Sequence, residues 1–441
     1  MKGKTNMLHD TRSLLLVFAL ASISACSDSV IPDLSRLYST SDLPSRFQSH
    51  GPGNLPVQRQ PPVILIHGAF GSRLNNEADD EELWPGNLWR ILFSDYEDIG
   101  LSIDAETLRP APSVLRPAGV TDKVVGKDYY GAIIRTLEDV GGYTLGTPGE
   151  KQQTGKRQYY LFVYDWREDN VQTAGRLDDL IEQIRKDYAS PELKVDIVAH
   201  SMGGLVTRYY LRYGHEDVLN DNDFPVSGYG FSRVNKVILL GTPNLGSVSA
   251  MVEVLQGLKI GLNRIPPHVM LTWPSTYQLF PHPILLSMIT LDGKPLERDF
   301  FDTETWRRFE WTIFNPQVRD SIIENKGEDY YQLLVRYFDR QLERARRFVW
   351  SLSVPTPESP VRYIVFGGDC ELTPARLLVE EVEGESVVRL FPSEIESPVD
   401  GVNYDLLMLE PGDGRVTKPS LIARDALDPT IPRHRYSYFP L

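Results

Sequence analysis

Apolar residues along the chain fall into short runs separated by stretches with helical spacing. The first run, Val63–Ile66, lies between a proline pair and Gly68, the pattern of a strand buried on both faces. Later runs follow at helix-sized intervals, and the segments between them carry apolar side chains every three or four positions. The predicted strands after the first are 159–164, 193–198 and 234–240, and the predicted helices are 171–188 and 202–213.

This alternation of strands and helices predicts an α/β architecture with a mostly parallel central sheet and helices on both faces. Parallel sheets of this kind bind ligands at the carboxyl ends of their strands. The pattern therefore directs attention to the residues that follow each predicted strand.

The regular pattern breaks between about residues 255 and 360. Several prolines interrupt this region, aromatic residues cluster around them, and a charged helical segment follows at 330–350. Sheet-like sequence resumes at 361–366 and again at 404–409. We therefore predict a first core part at 61–254, an inserted cap or lid at 255–360, and a second core part at 361–441.

The N-terminal segment has the layout of a secretory signal. Basic residues precede an apolar run at 14–20 that is too short to span a membrane, and the segment ends in Ile23-Ser24-Ala25-Cys26. This ending resembles a bacterial lipobox, so residues 1–25 are predicted to be a lipoprotein signal peptide, Cys26 the lipidated residue and 26–60 a tether. The alternative is an ordinary signal peptide with an incidental Cys26.

A lipobox implies an exported protein that is anchored to a membrane through its lipid and faces the periplasm. Ser27 separates Cys26 from Asp28, which favours the outer membrane.

The charge and the metal-ligating residues exclude several function classes. Lysine and arginine number 46 against 60 acidic residues, a net charge of −14 without a long basic run, so no nucleic acid partner is expected. Histidines and acids do not cluster at ligand spacing, and the two cysteines, Cys26 and Cys370, cannot build a thiolate site. A phosphate-binding glycine loop is also missing from the sequence. We expect neither a metal nor a cofactor.

The strongest chemical signal is the sequence around Ser201. A strand ends in Ala199-His200-Ser201-Met202-Gly203 and a helix follows, which is the pattern of a nucleophile elbow. Ala199 replaces the usual first glycine and is still small. Short patterns of this kind also occur by chance, but the strand-to-helix context favours an α/β-hydrolase fold with Ser201 as the nucleophile.

A serine nucleophile needs hydrogen-bond donors for the oxyanion that forms on the substrate. The loop after the first strand is rich in small residues, so the N–H of Ala69 or Phe70 can face the site, and the N–H of Met202 supplies a second donor. We interpret His67 as a structural histidine that orients this loop, in preference to a catalytic one.

The acid and the base are expected after Ser201, in that order. Asp413 lies between two glycines in a DG-x-V pattern typical of lipases, and is favoured over Asp369. His434 alone among the histidines follows Asp413, so it is predicted as the general base by elimination. No clear final strand precedes His434, and a sequence that ends before its true base is the alternative.

The chain resembles the lecithin:cholesterol acyltransferase family. Residues 164–167 (Tyr-Asp-Trp-Arg), the elbow at 199–203, the proline-bounded segment 274–281 and the loop 241–246 carry the resemblance, which spans about residues 61–420. The paired cysteines of secreted eukaryotic members are absent, and no clear match follows Asp413. From the residues alone, Asp165 and Arg167 are expected to form a buried ion pair that braces a strand end.

The resemblance implies acyl transfer from a glycerolipid through an acyl-Ser201 intermediate. The expected partners are phospholipid or acylglycerol esters, an alcohol, sterol or water as acceptor, and the surface of a membrane. One alternative is a non-catalytic lipid-binding lipoprotein that lacks a working base. An amidase or peptidase on the same scaffold is disfavoured by the aromatic-rich cap.

Overall fold

The computed structural model describes residues 60–121, 123–124, 127–128, 130–152, 155–356, 359–423 and 438–440. The predicted signal peptide, Cys26, the tether up to residue 59 and His434 lie outside these residues. Within them, one large hydrophobic cluster takes in side chains from Ile64 to Leu421.

The described residues form strands distributed along the whole folded part of the chain. They are β1 (Val63–Ile66), β2 (Ser72–Asn76), β3 (Glu82–Trp84), β4 (Leu115–Val120), β5 (Lys123–Val124), β6 (Lys127–Asp128), β7 (Tyr143–Leu145), β8 (Arg157–Phe162), β9 (Val195–His200), β10 (Val234–Leu240), β11 (Leu258–Ile260), β12 (Asn263–Ile265), β13 (Met288–Thr290), β14 (Arg362–Gly367), β15 (Glu371–Pro374), β16 (Leu377–Val382), β17 (Glu385–Arg389), β18 (Leu409–Gly412) and β19 (Tyr438–Pro440).

The α-helices of the described residues are interspersed with these strands. They are α1 (Leu88–Phe93), α2 (Gly131–Arg135), α3 (Asn170–Asp187), α4 (Met202–Tyr213), α5 (Val248–Gln256), α6 (Pro267–Met270), α7 (Pro274–Tyr277), α8 (Thr303–Arg308), α9 (Pro316–Lys326), α10 (Glu328–Ser351), α11 (Tyr404–Met408) and α12 (Lys418–Ile422).

Seven strands form one parallel sheet in the order β19, β14, β10, β9, β1, β8, β7. In the middle of this sheet, Val63 of β1 pairs with Tyr159 of β8 on one side and with Asp196 of β9 on the other. All four residues of β1 are buried, as expected for a strand covered on both faces. The predicted parallel α/β sheet is confirmed, and the carboxyl ends of β1, β9, β10 and β14 meet at one edge.

The long helix α10 belongs to the region predicted as a cap, and it packs closely against the nucleophile helix α4. Its buried residues recur at three- and four-residue intervals, which gives one apolar face. Phe348 stacks on Tyr209 of α4 at 5.7 Å, and the hydroxyl of Tyr213 donates to the carbonyl oxygen of Ser351 over 2.7 Å. Through these contacts, helix α10 packs as part of the same hydrophobic core as α4.

A second, smaller sheet combines one strand of the predicted cap with two strands of the predicted second core part. Strand β13 pairs in parallel with β16, which pairs with β17 in antiparallel. Residues 288–290 and 377–389 thus share one sheet outside the central one.

The expectation of a strand at 404–409 is wrong for most of its length, because Tyr404–Met408 is the helix α11. The side chain of Asn403 accepts a hydrogen bond from the N–H of Leu406 over 3.2 Å and caps this helix. Tyr404 and Met408, four residues apart, are buried, whereas Leu406 is exposed. A short apolar run fits both periods, and the cap decides for helix.

Candidate active site

Ser201 lies in a sharp turn between β9 and α4. Its backbone angles are φ 51° and ψ −125°, a region that non-glycine residues rarely adopt and that costs about 1–3 kcal/mol. The N–H of Ser201 donates to the carbonyl oxygen of Leu240 over 2.8 Å, and the N–H of Gly204 donates to the carbonyl oxygen of Ser201 over 2.9 Å. The strand, the strained turn and the helix match the geometry of a nucleophile elbow, and Ser201 is partly exposed.

Two glycines allow helix α4 to pack against neighbouring loops. A Cβ on Gly203 would lie 2.5 Å from the carbonyl oxygen of His67, and a Cβ on Gly204 would lie 2.1 Å from Oγ1 of Thr242. Both distances are far shorter than van der Waals contact. The first turn of α4 is thus held between the loop after β1 and the loop after β10.

The predicted oxyanion loop is a tight turn after β1. The N–H of Gly71 donates to the carbonyl oxygen of Gly68 over 3.2 Å, and Phe70 has a φ of 61°. The N–H groups of Ala69, Phe70 and Met202 make no hydrogen bond within the described part of the chain. These three donors are available for a negatively charged oxygen.

Three tryptophan side chains surround Phe70 of this turn. The ring of Phe70 lies 4.4 Å from Trp166, 5.2 Å from Trp84 and 6.1 Å from Trp273, measured between centroids. Contacts of this kind add to the apolar burial of each ring. Phe70 therefore has little freedom to move its N–H group.

His67 has the structural role that the sequence favoured. It is fully buried, its Nε2 accepts the N–H of Tyr164 over 3.2 Å, and its Nδ1 lies 2.8 Å from the carbonyl oxygen of Gly68. A ring whose Nε2 accepts must carry its proton on Nδ1, so Nδ1 donates to Gly68. Burial lowers the pKa of His67 to about 4 and keeps the ring neutral.

Asp413 lies at the carboxyl edge of the sheet, near the ends of β10 and β14. Its Oδ1 accepts the N–H groups of Arg415 and Val416 over 2.9 and 2.7 Å. A Cβ on Gly241, the residue after β10, would lie 3.3 Å from Oδ2 of Asp413. Since Leu240 holds the N–H of Ser201, one strand end brings the serine and this acid together.

The competing acid, Asp369, is engaged elsewhere. Its Oδ2 accepts a hydrogen bond from Nζ of Lys418 over 2.7 Å, which forms an ion pair. Asp369 is thus paired with a lysine, and the role of Asp413 as the acid stays a prediction.

Five histidines fall within the described residues, and none of them hydrogen-bonds to Ser201 or Asp413. Their partners lie elsewhere: Gly68 and Tyr164 for His67, Tyr130 for His200, Asp178 for His215, Glu97 for His268, and Ile284 and Ser353 for His282. Burial lowers the pKa of His200 below its usual value, and the charge of Asp413 opposes this shift.

The predicted base, His434, lies outside the described residues. Strand β19 follows it along the chain, and Pro440 of β19 pairs with Gly367 at the end of β14. Within the described residues, the last strand of the sheet thus comes after His434 in the chain. The role of His434 stays a prediction.

The loop after β10 links the acid loop to the nucleophile helix. Nδ2 of Asn244 donates to the carbonyl oxygen of Leu421 over 2.6 Å, and the hydroxyl of Ser247 donates to the carbonyl oxygen of Arg415 over 2.6 Å. Nη1 of Arg208, on α4, donates to the carbonyl oxygen of Asn244 over 3.3 Å. Displacement of the loop after β10 would therefore disturb both the acid loop and helix α4.

With this geometry established, the chain can be compared with known proteins. Residues 156–311 match the family model described as lecithin:cholesterol acyltransferase. Over these residues, about a third of the chain, the sequence is similar to the lecithin:cholesterol acyltransferase family. Lecithin-cholesterol acyltransferase-like 4 of Arabidopsis thaliana is 28% identical over 188 residues, which are 36% of this chain and 31% of that protein. The match thus spans about a third of the length of this curated relative.

One solved structure shows a similar fold, and a second aligns with a lower TM-score. The crystal structure of the Tle4–Tli4 complex is similar over 82% of this chain and 89% of that chain, with a TM-score of 0.51 and 16% identity. The mature lipase BlEst2 of Bacillus licheniformis aligns over 88% and 87% of the two chains, with a TM-score of 0.32 and 12% identity. The parallel sheet and the similarity to the first of these structures confirm the predicted α/β-hydrolase fold.

The segment that matches the acyltransferase family contains β8, the elbow, the loop after β10 and the helices α6 and α7. Its sequence Tyr-Asp-Trp-Arg at 164–167 begins two residues after β8 ends. Asp413 and His434 lie beyond the matched residues, so their assignment depends on the geometry and on sequence order.

Asp165 and Arg167 form the buried ion pair that the sequence indicated. Both side chains are at most 2% exposed, and Nη2 of Arg167 lies 2.5 Å from Oδ2 of Asp165. Nη1 of Arg167 also donates to the carbonyl oxygen of Ile99 over 2.9 Å. The pair therefore braces the end of β8 against the segment before β4.

Sequence reasoning missed Tyr130, whose hydroxyl lies 2.8 Å from both the N–H of Gly68 and Nδ1 of His200. Tyr130 is 62 residues from Gly68 in the chain, and no local pattern marks it.

Proposed function

We propose that this protein is a serine-dependent lipid O-acyltransferase or lipase that acts on phospholipid or acylglycerol esters through an acyl-Ser201 intermediate. The observation that carries the proposal is the strained turn at Ser201, with the unpaired N–H groups of Ala69, Phe70 and Met202 nearby. The family match at 156–311 supports acyl chemistry on lipids as the setting.

In the proposed reaction, Oγ of Ser201 attacks the ester carbonyl carbon while His434 takes its proton. The carbonyl oxygen becomes an oxyanion and accepts hydrogen bonds from the N–H groups of the turn and of Met202. Collapse of this intermediate breaks the ester C–O bond, and His434 returns the proton to the leaving alcohol. Asp413 orients the imidazole. Water, an alcohol or a sterol then attacks acyl-Ser201 in the same way and regenerates the serine.

An exposed apolar patch supports action at a lipid surface. We define it as Leu88, Trp89, Phe93 and Leu262, which are 58%, 73%, 54% and 71% exposed. Leu262 lies in the turn between the antiparallel strands β11 and β12. Its N–H donates to the carbonyl oxygen of Leu92 over 3.3 Å, so this turn and α1 form one surface. Large apolar groups in contact with water are unfavourable, and insertion among acyl chains removes that cost.

Vesicle binding tests the role of the patch. The double variant Trp89→Ser/Phe93→Ser is expected to bind phospholipid vesicles more weakly and to keep its activity on a soluble short-chain ester. Leu406→Ser changes an equally exposed leucine at 75% outside the patch and serves as the control. Equal vesicle binding by the double variant and the wild type would remove the patch from the proposal.

We also propose that Cys26 carries the lipid that anchors the exported protein. Among the described residues, none of the helices has the length and apolar character needed to cross a bilayer. Cys26→Ser is expected to move the mature protein from the outer-membrane fraction to the soluble periplasmic fraction, and an unchanged distribution would contradict the anchor.

A non-catalytic lipid-binding protein is the second candidate. It is favoured by one observation, that the described histidines all bind groups other than Ser201 and Asp413. Such a protein would bind lipid without releasing a product.

Hydrolysis of p-nitrophenyl esters with medium and long acyl chains separates these candidates. The wild type is expected to release p-nitrophenol, and Ser201→Ala to lose several powers of ten in kcat. Ser227→Ala, which removes a hydroxyl bonded to the carbonyl oxygen of Arg212, serves as the control and is expected to keep full activity. Equal rates for Ser201→Ala and the wild type would remove the mechanism, and added sterol or alcohol acceptors would then distinguish transfer from hydrolysis.

A further inference from the structure

The hydroxyl of Tyr130 joins the predicted oxyanion turn to the nucleophile elbow. Tyr130 is 3% exposed and directly precedes α2. Its Oη accepts the N–H of Gly68 over 2.8 Å and lies 2.8 Å from Nδ1 of His200. Gly68 begins the turn, and His200 is the residue before Ser201.

The protons of these three groups are compatible with one continuous chain of hydrogen bonds. A hydroxyl that accepts one hydrogen bond can still donate its own proton, and the neutral Nδ1 of a histidine can accept it. Burial lowers the pKa of His200, which favours the neutral ring at neutral pH. Gly68 therefore donates to Tyr130, and Tyr130 can donate to His200.

The turn is also in close contact with the groups around it. A Cβ on Gly68 would lie 2.7 Å from Cβ of Ser201, and a Cβ on Gly71 would lie 2.8 Å from Oη of Tyr130. Both ends of the turn are thus packed against residues of the site.

We propose that Tyr130 is a positioning residue, which holds the N–H groups of Ala69 and Phe70 where the oxyanion forms. This inference rests on the proposed function and deepens it. Donors to an oxyanion are effective only when they are already aimed at its position. Tyr130 does not touch the ester and acts through the bond to Gly68.

The test compares Tyr130→Phe with Tyr209→Phe. Tyr209 is a matched control, because its buried hydroxyl also accepts a backbone N–H, that of Val218 over 3.1 Å, and donates to the carbonyl oxygen of Glu216 over 2.8 Å. Each variant loses one hydroxyl and leaves one amide without its partner. Only Tyr130→Phe removes a bond to the turn.

Kinetics give the first readout. Tyr130→Phe is expected to lower kcat on a p-nitrophenyl ester about tenfold and to change KM by less than about twofold, because the loss falls on the transition state. Affinity for an alkyl boronic acid, which adds to the serine as a tetrahedral anion, should fall in parallel. Tyr209→Phe should leave both quantities unchanged. A decrease of equal size in the two variants, or no decrease in Tyr130→Phe, overturns the inference.

Hydrogen exchange gives a second readout that does not need enzymatic activity. In Tyr130→Phe, amides of the peptide that contains residues 67–71 should exchange about tenfold faster than in the wild type and in Tyr209→Phe. Unchanged exchange overturns the inference. If the wild type proves inert towards esters and fluorophosphonates, the proposed function fails, and exchange alone decides whether Tyr130 holds the turn.

Discussion

The N–H of Ser201 donates a hydrogen bond to the carbonyl oxygen of Leu240 over 2.8 Å. This bond fixes the turn after β9 to the end of β10. The next residue, Gly241, packs against the carboxylate of Asp413. Two groups separated by more than two hundred residues in the chain therefore lie beside the same strand end.

Close packing of α4 predicts the effect of a single methyl group. Gly204→Ala would place Cβ 2.1 Å from Oγ1 of the buried Thr242, so we expect a loss of about 1–3 kcal/mol in the free energy of unfolding, together with lower activity. Gly175→Ala, inside α3, meets nothing nearer than 3.9 Å and should gain about 0.5–1 kcal/mol from helix propensity. Urea unfolding of both variants checks this, and an equally stable Gly204→Ala would contradict the packing.

The two candidate acids should respond differently to the same substitution. Asp413→Asn is expected to lower kcat about 10⁴-fold, because the base loses the group that orients it. Asp369→Asn weakens the ion pair with Lys418 and should leave kcat within about twofold, as expected for a surface contact. Steady-state hydrolysis measures both, and the reverse ranking would transfer the role of acid to Asp369.

The sequence predicted those features of the fold that are formed by residues close together in the chain. The elbow at Ser201 and the strand β1 are each formed by one continuous segment. The small residues of the elbow and the apolar residues of β1 are typical of these structures. The buried pair of Asp165 and Arg167 was also predictable, since two opposite charges at the end of an apolar run must be paired when buried.

Contacts between distant segments could not be predicted in this way. The helix α11 is a local exception, because its apolar run also fits a strand and the cap from Asn403 lies only three residues from its partner. Pairing of β13 with β16 joins segments separated by a long helix, and the bond between Tyr130 and Gly68 spans 62 residues. Such contacts depend on tertiary packing, which a single sequence does not display.

The base assignment has its own prediction. His434→Gln is expected to lower kcat at least about 10³-fold, because Ser201 then loses the group that takes its proton. His215→Gln changes a half-exposed histidine that contacts Asp178 and is expected to keep wild-type kcat. If His434→Gln retains full activity, another group is the base, and the order of acid and histidine along the chain was misleading.

Two buried histidines predict how stability depends on pH. Burial lowers the pKa of His67 and of His282 from 6.5 to about 4. Between these values the unfolded chain binds protons that the folded protein does not, so stability is complete above pH 6.5 and falls as the pH decreases towards 4. The loss between pH 7.5 and 5 should be about 2 kcal/mol per histidine.

Urea unfolding at pH 7.5 and pH 5 measures this dependence. The double variant His67→Gln/His282→Gln is expected to be less stable at pH 7.5, and to lose less stability than the wild type on acidification. An equal loss in both proteins would assign the pH dependence to other groups.

The most direct test of the account is the position of a covalent adduct. The folded protein would be treated with a fluorophosphonate, digested and mapped by mass spectrometry. We predict one phosphonyl group on Oγ of Ser201, with labelling abolished in Ser201→Ala and retained in Ser227→Ala. An unmodified Ser201, or an adduct on another serine, would contradict the claim that this turn presents the nucleophile.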